Sequence, residues 1–404
     1  MKKRIFISMH YMEIGGAEMA LVGLLQALDY SKYDVDLFLH AHRGEMMLFI
    51  PKEVNLLPEI SSYKMLEEPI LKCIKQGFVL IAFLRVLSKL IRKLYFFIHR
   101  NFKEDDDFFF SYFTTPILPQ IGEGRKYDLA ISFLTPHNIV LKKVNAYKKA
   151  AWIHTDYLTL KVASITLKVW NKYDKIISIS SDITKTFIQV FPSLSNKIVE
   201  MENILSPEFV RKRSSELDVS AEIPKSNNTI NLLSVGRFCE AKNYDNVPDI
   251  CKRVNSRLST LDFRLCIRWY IIGFGGDEEL IRRKIEEAGM QDHVIILGKK
   301  SNPYPYIKAC DIYVQPSRYE GKSVTVREAQ MLCKPVVVTN YATASSQIID
   351  GVDGKIVPMD NKGCAQGLAE FIMNTELQKR ITEYLHTHDY GNEAEVSKID
   401  LLFE

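Results

Sequence analysis

Two acids eight residues apart, Glu320 and Glu328, flank a short polar turn in YEGKSVTVREAQML, residues 319 to 332. The strand-like DIYVQP (311–316) comes before this turn and a helix-like run follows it. Glu320 is therefore expected on the loop at a strand's carboxyl end, and Glu328 one or two turns into the helix. The backbone N–H groups of Lys322, Ser323 and Val324 would open that helix, and a helix N-terminus beside a lysine is a ready anion site. An acid on either side of a phosphate cradle suits a sugar joined to a nucleoside diphosphate: one carboxylate accepts sugar hydroxyls, the other ribose hydroxyls. TINLLSVGRFCEAKN, residues 229 to 243, adds a strand and a loop carrying Arg237 and Lys242. Two fixed cations at a strand end can take the charge of a departing diphosphate without a metal ion. Alone, either segment reads as well as a helix cap, a surface glutamate and solvated cations; the two together favour a site.

Weaker candidates lie elsewhere. Gly15 and Gly16 follow the first strand, where missing side chains let backbone approach a ligand. WIHTDY, residues 152 to 157, closes another strand and offers His154 and, more weakly, Asp156. Gly273 and Gly275 form a G-x-G after a strand in YIIGFGGDEEL, but no GxGxxG with a distant ribose acid accompanies them, so a dinucleotide fingerprint is not indicated. The acidic run EDDD, residues 104 to 107, could imitate a metal-binding DxD, yet it abuts three phenylalanines and reads as a solvated turn.

These residues need a scaffold, and the hydrophobic pattern supplies one. Short β-rich runs alternate with longer helix-like segments, the pattern of parallel sheets wrapped by helices. One series of strands covers 4–9, 35–40, 128–133, 149–153, 175–180 and 197–201; a second covers 229–236, 265–273, 294–298, 311–316, 335–339 and 354–358. The expected fold class is α/β, with two Rossmann-like doubly wound domains facing a cleft and ligands at the carboxyl ends of strands. The expected division is an acceptor-binding domain over 1–205, a polar linker over 206–228 and a donor-binding domain over 229–380. A helical tail over 381–404 is expected to return to the first domain.

Composition sets outer bounds. A chain of 404 residues, 47% of them hydrophobic, exceeds what one core usually organises. A net charge of +4 gives no reason to expect a nucleic-acid partner. Seven cysteines with no CxxC pair argue against a disulfide framework or a zinc ribbon and fit a reducing cytoplasm. The N-terminal apolar stretch reads as a strand rather than a signal peptide, and the longest apolar run, 78–84, is too short to span a bilayer. Residues 69–103 form a long helical insertion that carries Arg85, Lys89, Arg92, Lys93, Arg100 and Lys103, the first four at helical spacing, so that a basic face opposes an apolar one. Its first reading is helices packed on the sheet by their apolar face with lysines in solvent. Its second is a surface over 78–103 that docks on anionic lipid at the inner face of the membrane, because aromatics accompany the charge.

The spacing of Glu320 and Glu328 within EGKSVTVREA, the element GRFCEAKN and the GGAE at residues 15–18 together resemble the retaining family 4 glycosyltransferases of the GT-B fold. The resemblance implies sugar transfer, with retention and without a metal or other cofactor, from a UDP- or GDP-linked donor to a saccharide or lipid-linked saccharide in surface-polysaccharide assembly. It also implies roles: Glu320 on donor-sugar hydroxyls, Glu328 on the ribose, Arg237 and Lys242 on the diphosphate, Gly15 and Gly16 beside phosphate or acceptor. His154 falls where the family keeps a histidine near the reacting sugar, with Asp156 orienting it or touching acceptor, and Gly273 and Gly275 line the nucleotide. Ser180 and Asn203 have architectural roles. The chain departs from the pattern at Lys322, at Cys333 where a glycine is usual, and at Gln347 where a glutamate is common. Two other classes stay open: a nucleotide-sugar epimerase of similar architecture and a catalytically silent sugar-binding subunit.

Overall fold

The computed structural model describes residues 2–98, 106–155, 157–158, 164–260 and 265–404. The chain divides into two compact units, Met1–Leu205 with Asn392–Glu404, and Ser206–Gly391. The first is built on seven parallel strands: β1 (Lys3–Met9), β2 (Tyr33–Leu39), β3 (Asn55–Leu56), β4 (Tyr127–Ser132), β5 (Ala146–Ile153), β6 (Lys175–Ser178) and β7 (Ile198–Glu200). The second has six: β8 (Thr229–Val235), β9 (Cys266–Ile272), β10 (Val294–Gly298), β11 (Ile312–Gln315), β12 (Val336–Thr339) and β13 (Lys355–Val357). All but the two-residue β3 match runs legible in the sequence.

The strand orders are β3-β2-β1-β4-β5-β6-β7 and β10-β9-β8-β11-β12-β13. In each sheet the chain winds outward from its first strand in one direction and then returns to continue on the other side. Beside β1 and β4, and beside β8 and β11, successive connections therefore leave in opposite directions. Such switch points open a crevice at the carboxyl ends of the strands.

The strands read as continuous apolar runs because helices cover both sheet faces. In the second unit Trp269 is fully buried, and its indole N–H donates to Ser234 Oγ at 2.8 Å, which in turn donates to the Val314 carbonyl at 2.6 Å. This buried polar chain ties β9, β8 and β11 together with every member satisfied. Gly273 and Gly275 have a steric explanation that involves no ligand. A Cβ on Gly273 would lie 1.9 Å from the Gly236 carbonyl oxygen, and one on Gly275 2.4 Å from that of Phe238. The loop after β9 thus rests directly on the loop after β8, joined through Phe238 N–H to Phe274 O at 2.8 Å.

Residues 206–228, read as a linker, are packed structure. A helix covers Pro207–Arg213, capped by Ser206 Oγ, and buries Val210 and Arg213. Asn302 donates to the Arg213 carbonyl at 2.9 Å. Low apolar content hid this segment because its anchors are a few side chains and backbone hydrogen bonds. At the other end, helices over Asn361–Met373 and Thr375–Thr387 belong to the second unit, while Asn392–Glu404 belongs to the first. There Asn392 Oδ1 accepts the Leu205 N–H at 2.9 Å, its amide donates to the Asn203 carbonyl, and the Phe403 ring stacks on Tyr33. Ser180 caps the helix Ser181–Val190.

The basic insertion comprises helices Ile70–Lys75 and Val79–Ile98, followed after an undescribed stretch by Asp106–Thr114. Arg100, Lys103, Glu104 and Asp105 lie outside the described residues, and the acidic run ends in the first turn of a helix rather than in a loop. The long helix keeps Lys89 and Lys93 in solvent, as the first reading expects, but its apolar residues are divided between the core and the surface. It buries Ile81, Ala82 and Ser88, and it turns Arg85 inward to donate to the Met65 and Glu68 carbonyls at 2.9 and 2.5 Å. Val79, Phe83, Val86, Leu90, Leu94 and Phe97 instead form an exposed apolar ridge at helical spacing, with Phe97 77% exposed. Among the described residues no helix is long and apolar enough to cross a membrane.

The close approach of backbone at Gly273 makes a sharp prediction. Gly273→Ala should destabilise the chain by about 2 kcal/mol or more, since a backbone oxygen cannot yield as a side chain can. Gly16→Ala, where a Cβ would meet nothing within 4 Å, should leave the denaturation midpoint unchanged. Equal midpoints for the two variants would contradict the packing described.

Candidate active site

The switch point of the second sheet assembles the cluster. The loop after β8 and the loop after β11 are laced together before any functional side chain is considered. Arg318 N–H donates to the Ala241 carbonyl at 2.8 Å, and its guanidinium grips Asp245 through two nitrogens at 2.9 and 2.8 Å. Asn243, in the left-handed conformation at φ 61°, is buried and donates to the Pro316 carbonyl at 2.9 Å. Asparagine tolerates this backbone better than most residues. Such bidentate and backbone-directed bonds hold both loops in one register.

On this frame Lys242 Nζ lies 2.5 Å from Glu320 Oε1, with side-chain exposures of 19% and 10%. Gln315 Nε2 and Ser317 Oγ donate to the same oxygen at 2.8 and 2.6 Å. Gln315 is fixed in turn by the Tyr313 hydroxyl, 2.8 Å from its Oε1. Three donors on Oε1 leave Oε2 of Glu320 with no partner among the described residues. The Glu320 carbonyl accepts from Thr343 Oγ1 at 2.8 Å, which brings in the segment after β12. Arg237, on the same loop as Lys242, is exposed and makes no ion pair among the described residues.

Ser323 and Val324 open the helix Val324–Met331, as the pattern predicts, and Lys322 stands just before it. The Ser323 N–H, however, donates to Gln347 Oε1 at 3.0 Å, and Gln347 Nε2 donates back to the Ser323 carbonyl at 2.5 Å. One expected cradle donor is therefore already occupied by the residue that departs from the usual glutamate. Cys333, the other departure, sits at φ 54°, a left-handed backbone that explains why glycine is usual there.

Glu328 lies deeper than a ligand-facing role suggests. It is 3% exposed, and the fully buried Tyr304 hydroxyl donates to its Oε1 at 2.7 Å. Burial pushes its pKa up to about 7, with the Tyr304 hydrogen bond opposing. Tyr313 connects the two acids: burial first, and then the charges of both Glu320 and Glu328, raise its own pKa. Two more tyrosines, Tyr244 and Tyr341, are buried with hydroxyls that have no partner among the described residues, and the charge of Glu320 adds to burial in raising the pKa of each.

In the first unit His154 follows β5. Its ring lies against Phe133 and Trp152, with centroids 4.9 and 5.9 Å away, and Nε2 is buried with no partner among the described residues. Burial lowers its pKa to about 4, partly offset by a hydrogen bond to the Phe133 backbone, so the imidazole is neutral and Nε2 offers a lone pair. Asp156 lies outside the described residues. Gly15 precedes the helix Gly16–Ala27, and a Cβ there would meet the Glu18 carboxylate, whereas Gly16 borders open space. Sequence reasoning passed over Gln315, Ser317 and Tyr304, and it marked Gln347 only as a departure from the usual glutamate. Gln315 carried a signal, being the only polar residue in the strand IYVQ. Tyr304 carried none, because only folding brings it to Glu328.

Comparison with known proteins agrees with this architecture. Residues 217–387 match the family described as "Glycosyl transferases group 1". Across 93% of this chain and 92% of its own length, a Campylobacter jejuni protein is 25% identical: N-acetylgalactosamine-N,N'-diacetylbacillosaminyl-diphospho-undecaprenol 4-alpha-N-acetylgalactosaminyltransferase. The lipopolysaccharide core biosynthesis glycosyltransferase LpsE of Rhizobium meliloti is 22% identical over 43% of this chain and 46% of its own length. Among solved structures, Anabaena Alr3699/HepE in complex with UDP and glucose superposes with a TM-score of 0.68 at 14% identity, covering 99% of this chain and 98% of that one. The fold is GT-B, two Rossmann-like α/β domains, and together these likenesses support a glycosyltransferase.

Glu328 provides the test of this site's electrostatics. Its folded pKa of about 7 lies above the usual 4.5, so the fold favours the protonated acid. That stabilisation is complete below pH 4.5 and lost as pH rises through 7, amounting to roughly 3 kcal/mol. Glu328→Gln should match wild type in denaturant midpoint near pH 4.5 and exceed it at pH 8.5. Parallel pH profiles for the two proteins would show that the acid is not held neutral by burial.

Proposed function

We propose that the chain is a retaining hexosyltransferase that moves a sugar from a UDP- or GDP-linked donor to a hydroxyl of a saccharide or lipid-linked saccharide acceptor in surface-polysaccharide assembly. The observation that carries this reading is the Lys242–Glu320 pair at the carboxyl ends of the adjoining strands β8 and β11. A carboxylate held on one oxygen by three donors is pre-aimed, and its free Oε2 can accept donor-sugar hydroxyls without reorganising. Lys242 and Arg237, with the Lys322–Val324 turn, carry the charge of the leaving diphosphate. Bond cleavage then runs ahead of attack, the acceptor enters on the same face, and no strong base is needed. Fixed cations replace a divalent ion on the diphosphate. His154 accepts a hydrogen bond from the reacting sugar through its neutral Nε2.

Glu328 keeps its place in the donor subsite as the ribose acid, reached when donor binding displaces the Tyr304 hydroxyl. Gly15 and Gly16 lie beside phosphate or acceptor, and Gly273 and Gly275 wall the nucleotide. The likenesses add support for the substrate classes: the Anabaena structure holds UDP and glucose, and the Campylobacter relative's name specifies a diphospho-undecaprenol-linked acceptor.

The exposed ridge on the helix Val79–Ile98 supports a place on the membrane. Beside it lies a cavity of about 150 Å³ lined by Arg85, Lys89, Arg92, Leu66, Ser88 and two phenylalanines. An apolar ridge that can enter the acyl boundary, next to cations at headgroup depth, is the arrangement of an interfacial helix.

Arg237→Ala and Glu320→Gln should each lower turnover more than tenfold with a nucleotide-sugar donor. Arg237→Ala should leave the melting temperature unchanged, because the side chain is exposed. Full activity in both would remove them from the site, and a requirement for added Mg²⁺ or Mn²⁺ would overturn diphosphate neutralisation by fixed cations. The paired change Leu90→Glu and Leu94→Glu should abolish co-sedimentation with phosphatidylglycerol vesicles while sparing soluble-acceptor turnover. Undiminished sedimentation would refute the membrane reading.

A further inference from the structure

The switch point of the first sheet holds a cluster that plays no part in the chemistry described so far. His10 directly follows β1 and His40 directly follows β2, two strands paired in register with Met9 opposite Leu39. Glu67, just ahead of the helix Ile70–Lys75, reaches between them. Its Oε1 lies 2.8 Å from Nδ1 of His10 and 2.8 Å from Nδ1 of His40. The ligand-type atoms of all three residues lie within 4.8 Å of one another, a grouping found nowhere else among the described residues. His40 is 3% exposed, and the rings of Phe38 and Tyr63 stand against it.

Hydrogen-bond accounting shows what this arrangement lacks. A carboxylate oxygen only accepts, and the second nitrogen of His10, Nε2, contacts the Thr135 carbonyl oxygen, which also only accepts. A neutral imidazole carries one proton and would leave one of these contacts as lone pair against lone pair. Either the His10 ring carries two protons, or a cation stands in place of the one on Nδ1. Keeping two protons on a ring whose side chain is only 19% exposed costs desolvation free energy. With a metal on Nδ1, the Nε2–H of His10 donates to Thr135, the orienting bond that metal-bound histidines ordinarily make through their other nitrogen.

We propose that His10, His40 and Glu67 bind one divalent transition-metal ion, with Zn²⁺ as the best fit, through the two Nδ1 atoms and Oε1. A tetrahedral zinc with bonds of 2.0 to 2.1 Å places its ligand atoms about 3.3 Å apart, so the two contacts to Glu67 Oε1 would spread by about half an ångström. Two imidazoles and a carboxylate suit zinc, not the all-oxygen shells of magnesium or calcium. On binding, His10 releases its Nδ1 proton to solvent and the His40 proton moves from Nδ1 to Nε2. Three protein ligands leave a fourth position for water or an anionic oxygen. The site uses none of the residues proposed to hold the donor diphosphate, so either assignment can fail without the other.

The test uses the full chain, stripped of metal by chelator dialysis and titrated with Co²⁺ as a coloured probe. One equivalent should bind with micromolar or tighter affinity, show the intense visible bands of a four-coordinate site, and be displaced by Zn²⁺. Glu67→Gln and His40→Asn should each weaken binding more than tenfold, while His388→Ala, at an exposed position just after the helix Thr375–Thr387, should not. Should either cluster variant fail to fold, the wild-type spectrum still decides. No saturable Co²⁺ band in the stripped wild type, or a six-coordinate spectrum unchanged in a folded Glu67→Gln protein, would overturn the assignment and leave the cluster as a hydrogen-bonded strut.

Discussion

The arrangement of the second unit depends on one ion pair made across a sheet. Lys242 and Glu320 come from loops separated by 78 residues of chain, and they meet because β8 and β11 are neighbours although two strands intervene in sequence. Their contact is prepared from below. Arg318 on Asp245, Asn243 on the Pro316 carbonyl, and Gln315 and Ser317 on Glu320 each remove a degree of freedom before any ligand arrives. A partly buried charge pair of this kind owes its geometry to such satisfied neighbours, since attraction alone barely offsets desolvation.

The two acids that look equivalent in sequence are different chemical objects in the fold. Glu320 sits at a strand end with cationic and neutral donors on one oxygen. Glu328 is enclosed in the protein with a tyrosine as its partner and is held near neutrality. Environment, not residue type, separates them. Gln347 shows the same economy of local chemistry: its amide satisfies both backbone groups of Ser323, so the helix N-terminus is closed until something competes for that N–H.

Each unit uses the same topological device. Where the strand order reverses, loops of unlike sequence are forced together at carboxyl strand ends, and polar side chains gather there. In the second unit the gathering is acid and base; in the first it is histidine, with His10, His40 and His154 each directly after a strand. The long amphipathic helix follows the opposite logic. Its Arg85 turns inward to donate to the carbonyls of Met65 and Glu68, and its Leu90 and Leu94 face outward, uncovered by any element among the described residues.

The sequence by itself determined the strands, their parallel arrangement, the loops that carry Arg237, Lys242 and Glu320, and the helix that carries Glu328. These follow from alternation of apolar runs with helical segments and from turn chemistry, all local properties. It could not determine the packing of 206–228, the face that the helix Val79–Ile98 turns to solvent, or the seclusion of Glu328. A periodic pattern defines two faces of a helix without saying which one meets a neighbour, and a titratable group's environment is made by residues distant in the chain. The partners Tyr304, Gln315 and Gln347, and the meeting of His10 and His40 over Glu67, were decided only when the strand order brought those segments together.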